Sequence, residues 1–179
     1  MMLADGLPTA TLGVMPPPKR CFLSYSHKDH EGFEQLRAQL APVAQAFSFA
    51  IWHDKRIQAG DYWNHRIQTE IDQAEIFVLL TSADFFNSGY IIAHELPAIR
   101  QRHRAAGALV LPVIYRDCYW GAMFGNYIQA VPMTPDGSLR PVQKWRPIND
   151  GFAASAKAIA AAIEDWFGVT PTSPWAPTP

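Results

Sequence analysis

The chain has 179 residues, 49% hydrophobic and 17% charged, with a formal net charge of -1, enough apolar side chain for one globular domain with a sizeable core. The near-neutral balance excludes a surface built to bind nucleic acid, which needs a basic excess or a basic stripe. Two cysteines, Cys21 and Cys118, give no disulfide framework and point to a reducing compartment.

The prolines mark the ends. Pro8, Pro16, Pro17 and Pro18 crowd the first segment, and Pro171, Pro174, Pro177 and Pro179 the last. Residues 1–18 therefore read as a disordered Pro-containing segment, 19–168 as the folded core, and 169–179 as a Pro-rich tail or truncated linker. No apolar run approaches the roughly 18 residues of a membrane span. The N-terminus lacks the basic and apolar regions of a signal peptide, so the expected location is the cytoplasm.

Inside the core, strands and helices alternate. Residues 21–25 form a short apolar run that breaks into Ser26-His27-Lys28-Asp29, a strand discharging polar side chains at its carboxyl end. Phe33, Leu36 and Leu40 recur at helical spacing. A second strand is predicted over 47–52, followed by His53-Asp54-Lys55-Arg56. Asp61 can cap a helix that buries Trp63, Ile67, Ile71 and Ala74. Residues 76–80 carry no polar side chain and read as a central strand; Thr81, Ser82, Asp84, Asn87 and Ser88 then form a polar loop. Residues 90–104 read as a helix that Pro97 kinks or splits, its basic end from Arg100 to Arg104 complementing the helix dipole. A fourth strand over 109–115 contains Pro112, which favours a sheet-edge position or a bulge. A short fifth strand is expected near 142–145. A last helix follows, with Phe152, Ala156, Ile159, Ile163 and Trp166 on one face and Gly168 as its stop. Repeated βα units predict a parallel sheet covered by helices on both faces.

Several chemistries are missing. Neither GxGxxG nor GxxxxGK[ST] occurs, so there is no glycine-rich phosphate loop. No GxSxG elbow is present, and His27 and His30 have no second ligand pair at zinc spacing, so no metal is expected. A phospho-receiver needs acidic residues at the end of its first strand, where this chain has Ser24-Tyr25-Ser26. One carboxylate is conspicuous. Glu95 lies in the helix after the third strand, and in the strand order 2-1-3-4-5 that helix and the end of strand one flank the topological switch point. Glu95 can face the same crevice as Ser24, Tyr25 and Ser26; as glutamates are mostly exposed, a place on the outer surface is the alternative.

These pieces resemble a bacterial TIR (Toll/interleukin-receptor) domain over about residues 19–168. The run from Phe22 to Asp29 is similar to the family's first motif, a strand ending in a Ser-Tyr-Ser-like turn. The run from Trp52 to Trp63 resembles the second, Leu79 to Phe86 with Ser88 and Glu95-Leu96 the third, and Lys144-Trp145 a late motif before the last helix. The resemblance implies an α/β, flavodoxin-like three-layer fold with a five-stranded parallel sheet in the order 2-1-3-4-5. It also implies an enzyme that cleaves NAD+ at the nicotinamide–ribose bond, giving nicotinamide and ADP-ribose or a cyclic isomer, in bacterial immune signalling and activated by self-association. NAD+ is then substrate and no cofactor is needed. Glu95 falls on the family's catalytic position. Ser24, Tyr25, Ser26, His27, Lys28, Trp52, Arg56, Tyr62, Ser88, Tyr90 and Trp120 are the expected substrate-binding set, with His27, Lys28 and Arg56 at the pyrophosphate and Trp120 as an aromatic wall. The loop from Arg56 to Tyr62 is the expected self-association surface. The alternatives are a non-catalytic TIR–TIR assembly or adaptor module, and a domain that senses a nucleotide without cleaving it. This chain departs from many relatives in having Ile91 where a tryptophan precedes the glutamate, Ala59 where a proline stands, and a Ser88–Glu95 spacing one residue longer than in the plant version.

Overall fold

A computed structural model describes residues 19–53, 63–125 and 127–172, apart from the side chain of Trp63. The segment 1–18, the end of the tail, Asp61, and the loop from Arg56 to Tyr62 lie outside the described residues. Within them the order is β1 (Arg20–Tyr25), α1 (His30–Ala46), β2 (Ala50–Trp52), α2 (Trp63–Gln73), β3 (Ile76–Thr81) and α3 (Ala83–Phe86). A π turn (Ile91–Glu95), α4 (Leu96–Ala106), β4 (Leu109–Ile114), α5 (Gly121–Phe124) and α6 (Ile148–Phe167) complete it.

The strands form one parallel sheet in the order β2-β1-β3-β4. Every residue of β3 and β4 is buried, as expected of strands covered on both faces. The two-residue period of a strand divides the core into two clusters. Leu23, Tyr25, Val78, Leu80, Leu111 and Val113 pack with α1 and α6 through Phe33, Leu36, Phe152 and Ile159. Phe22, Phe77, Leu79 and Val110 pack with α2 and α4 through Ile67, Ile71 and Ile99. The result is three layers, α/β/α.

Three expectations are corrected. The second strand is only Ala50–Trp52, because Ser48 takes a left-handed φ of 57° that no strand tolerates. Phe47 and Phe49 are buried by that turn and so imitate strand residues in the sequence. The expected strand at 142–145 is a single 3-10 turn, Val142–Lys144. Pro141 and Pro147 bracket it, and it closes on itself: Lys144 N–H donates to Pro141 O at 2.9 Å and Trp145 N–H to Val142 O at 3.1 Å, while a single bond, Gln143 N–H to Tyr115 O at 3.0 Å, ties it to the end of β4. The place beside β4 is held instead by one parallel bridge between Val113 and Val131, so a five-stranded sheet is not formed by the described residues. The third correction concerns Trp166, which is exposed and donates its indole N–H to Gly107 O at 2.8 Å, while Phe167 takes the buried place at the end of α6.

Pro112 is tolerated for a geometric reason. Val131 N–H donates to Pro112 O at 2.9 Å and Ile114 N–H to Val131 O at 2.8 Å, so the polar groups at 112 and 114 point to the outer edge, away from β3. The missing N–H of Pro112 is therefore one the β3–β4 ladder never used.

Two helices approach aromatic rings through glycine. A Cβ on Gly32 of α1 would lie 2.5 Å from the Tyr115 ring, and one on Gly151 of α6 2.8 Å from the Trp145 ring. The Gly32 contact seats the start of α1 against the end of β4. Gly32→Ala is expected to destabilise the protein by about 1–3 kcal/mol through overpacking. Gly89→Ala, where a Cβ meets nothing within 4 Å, is expected to be neutral or slightly stabilising. Urea unfolding of the two variants separates close packing from a general cost of added bulk.

Candidate functional site

The strand order reverses between β1 and β3, and there the two chains leave the sheet in divergent directions. After Tyr25, Ser26 stays extended and a 3-10 turn follows (His27–Asp29), closed by Asp29 N–H to Ser26 O at 2.7 Å. After β3, Ser82 caps α3 by accepting Phe85 N–H at 3.1 Å. The chain then passes through Asn87 and Ser88 into the π turn.

That turn positions Glu95. A π turn closes i to i+5 and holds one more residue than an α turn; here Leu96 N–H donates to Ile91 O. The residue following is Pro97, in the first turn of α4, where it needs no N–H partner. The kink expected from Pro97 is thus delivered one turn earlier, as a widened turn, and the long spacing from Ser88 to Glu95 is absorbed there. Glu95 is 7% exposed, and the Ser24 hydroxyl donates to its Oε2 at 2.5 Å.

The two loops enclose a cleft of about 320 Å³. Of the residues expected there, Tyr25, Ser26, His27, Lys28, Ser88, Tyr90 and Glu95 line it. Asp84, Asn87 and Ile91 line it too; the first two carried only the signal of a polar loop, and Ile91 only that of a departure from relatives. Tyr25 forms a fixed wall, stacked on Phe33 at 3.9 Å with planes 10° apart. The Tyr90 hydroxyl donates to Asn64 Oδ1 at 2.7 Å. Burial first, and then the charge of Glu95, raise the Tyr90 phenol above its ordinary range.

Other expected residues fall elsewhere. Ser24 is buried beneath the cleft rather than in its wall. Trp52 packs in the core, stacked on Phe22 at 5.0 Å, because β2 is the outermost strand on the far side of β1. Trp120 is half-buried and does not line the cleft; its carbonyl starts α5 by accepting from Met123 and Phe124, and the aromatic walls are Tyr25 and Tyr90 instead. Arg56 and Tyr62 lie outside the described residues.

A charge network braces the rim. Asp29 is buried and accepts from both the Ser82 hydroxyl and Arg116 Nη2. Arg116 also donates to Asp84 at 2.8 Å, and Asp84 pairs with Lys28 at 3.1 Å. Lys28 first, with Arg116, holds the Asp84 carboxyl below its usual range. The ends of β1, β3 and β4 are thereby joined. Lys28 stands at the mouth of the cleft, but already answered by a carboxylate.

Neither cysteine is an activated nucleophile. Burial pushes the Cys21 thiol up to about 12, and burial also raises Cys118. Among the described residues no three His, Cys, Asp or Glu side chains group as a metal site, and no helix is long and apolar enough to cross a membrane.

Comparison with known proteins agrees with this architecture. A family model for the TIR domain matches residues 21–144. An uncharacterized protein of Sinorhizobium fredii (strain NBRC 101917 / NGR234), y4lF, is 38% identical over 142 residues, which are 79% of this chain and 42% of that protein. This chain therefore spans less than half of that relative. Among solved structures, the RPS4 and RRS1 TIR domain heterodimer superposes with a TM-score of 0.52 at 12% identity, over 84% of this chain and 99% of that one. At that identity the likeness is one of fold.

Three outcomes follow from the geometry. Arg116→Met leaves the Asp29 carboxylate buried with only the Ser82 hydroxyl, and is expected to cost about 2–4 kcal/mol, somewhat less than breaking a fully buried pair because Arg116 is partly in water. Lys28→Ala, at an exposed pair, is expected to change stability little; denaturant unfolding distinguishes the two. In Glu95→Gln the Tyr90 phenol is expected to titrate at lower pH than in the parent, since the neighbouring negative charge is gone while burial persists. The change is read by ultraviolet difference titration against Tyr90→Phe.

Proposed function

This chain belongs to the TIR domain family, and on that premise we propose that it is an NAD+ glycohydrolase or cyclase working from the cytoplasm, with Glu95 as its catalytic carboxylate. The observation that carries the reading is a buried glutamate lining a cleft at the switch point of a parallel sheet, where such folds bind ligands. The cleft is at the small end of ligand pockets, roughly 300–1,000 Å³. It suits the nicotinamide riboside half of the substrate, with the remainder over the rim.

The chemistry needs one carboxylate. The nicotinamide–ribose bond breaks with its electron pair going to the ring nitrogen, so the cationic ring leaves neutral and needs no general acid. The positive charge moves to the ribose as an oxocarbenium-like centre, which the buried carboxylate of Glu95 stabilises. Water then adds to the anomeric carbon and loses one proton, giving ADP-ribose, nicotinamide and H+; in a cyclase an adenine nitrogen takes the place of water. Tyr90 offers a face for stacking the nicotinamide, and the buried Tyr25 backs the wall beside it. Ser26 and Ser88 offer hydroxyls to the ribose. His27 and Lys28 stand at the rim on the side of the pyrophosphate, although Lys28 must first leave Asp84. Arg56 and Tyr62 belong to the loop proposed as the self-association surface.

The second reading is a TIR–TIR assembly module without catalysis. It is favoured by the exposed apolar side chains Tyr119, Met123 and Tyr127, which are 85%, 48% and 96% exposed, and by the paired state of the RPS4 and RRS1 TIR domains. The test is incubation of concentrated protein with NAD+, with and without a crowding agent, followed by chromatography of nicotinamide. Release is expected to rise faster than linearly with protein concentration. In Glu95→Gln it is expected to fall by about 100-fold or more. Release unchanged in that variant removes Glu95 from the reaction, and no release at any concentration leaves the assembly module.

A further inference from the structure

The Ser24 side chain occupies a place where a hydroxyl is costly. It sits near the carboxyl end of β1, opposite Leu79 in the β1–β3 ladder, on the face that carries Phe22 and Phe77. A buried hydroxyl is tolerated only with a partner, and the Ser24 hydroxyl has one in Glu95 Oε2 at 2.5 Å, 71 residues away in the chain. Both ends of this bond are rigidly held. The strand backbone fixes Ser24, and the π turn carries Glu95 inward over it. Ser24 does not line the cleft, whereas Glu95 does; the hydroxyl meets the carboxylate from the core side, opposite the open space.

We propose that Ser24 is a positioning residue: it holds Glu95 by Oε2 from beneath, fixing the carboxylate in the cleft, and does not touch the substrate. This replaces the substrate-binding role expected of Ser24, and it rests on the reading of Glu95 as the catalytic group. A charge-assisted bond from a fixed donor restricts rotation of the carboxylate plane and favours its ionised form. Ser24 therefore acts on the rate of bond cleavage rather than on ligand affinity.

The test uses the full chain with Ser24→Ala and Ser24→Thr. For nicotinamide release from NAD+, Ser24→Ala is expected to lower kcat about 10-fold with KM changed less than about 2-fold, the signature of a group acting in the transition state. Ser24→Thr, which keeps the hydroxyl and suits a strand, is expected to retain most of kcat. A loss carried by KM, an unchanged kcat, or a threonine variant as impaired as the alanine one overturns the proposal. A second readout needs no turnover. In protein with 13C-labelled glutamate carboxyls, the Glu95 resonance, assigned with Glu95→Gln, is followed against pH. Its midpoint is expected to move to higher pH in Ser24→Ala, because a donor to the ionised form has gone. Tyr90, His27, Lys28 and Asp84 line the cleft with Glu95 and are not changed by Ser24→Ala, so the comparison with the parent isolates Ser24. An unmoved midpoint overturns the proposal. A moved midpoint in a protein that releases no nicotinamide supports Ser24 as the holder of Glu95 and removes the cleavage reading instead.

Discussion

Two carboxylates are buried at the carboxyl end of this sheet, and a buried carboxylate is stable only where donors meet it. Glu95 is met by Ser24 and Asp29 by Ser82 and Arg116. Each donor comes from a different part of the chain than its acceptor. The loops after β1, β3 and β4 are consequently not free to choose their paths. They are drawn together by the need to answer two charges, and the cleft is the space left between them.

The two carboxylates differ in use. Asp29 is enclosed and spends both oxygens on structure, so the rim that includes Ser26 and Lys28 is fixed to the end of β4. Glu95 is buried from below yet borders open space above. A group in that position can meet a cationic or oxocarbenium-like ligand without first shedding a shell of bulk water, which is the condition for electrostatic stabilisation to be strong. The π turn makes the difference, since it widens the helix at the residue whose side chain must turn inward. The short 3-10 turn at 142–144 and the single bridge at Val131 show the opposite at the far edge, where among the described residues the sheet ends without a full fifth strand.

Much of the fold was legible because its signals are local. The uninterrupted apolar run of β3 marked a central strand, the spacing of Ile67, Ile71 and Ala74 marked α2, and Gly168 marked the end of α6 with a left-handed φ of 61°. The misreadings share a cause. Phe47, Phe49 and Val142 are apolar because they plug turns and not because they lie in strands, and a window of sequence has the same composition in either case. Trp52 and Trp120 were expected in the site because large aromatics suit a stacked ring, yet which face of the sheet or loop they occupy depends on strand order and on where α5 begins.

By itself the sequence determined the succession of βα units, the parallel sheet, the family, and the two segments that flank the switch point. Periodicity and motif order carry that much, since they depend on neighbours within a turn or a strand. Tertiary structure alone decided that Ser24 lies under Glu95, that Arg116 joins Asp29 to Asp84, and that the extra residue before Glu95 is absorbed as a π turn. Those are contacts between residues 32 to 87 positions apart, or a widened turn that has no periodic signature in the sequence. Only the packed sheet brings their partners within reach.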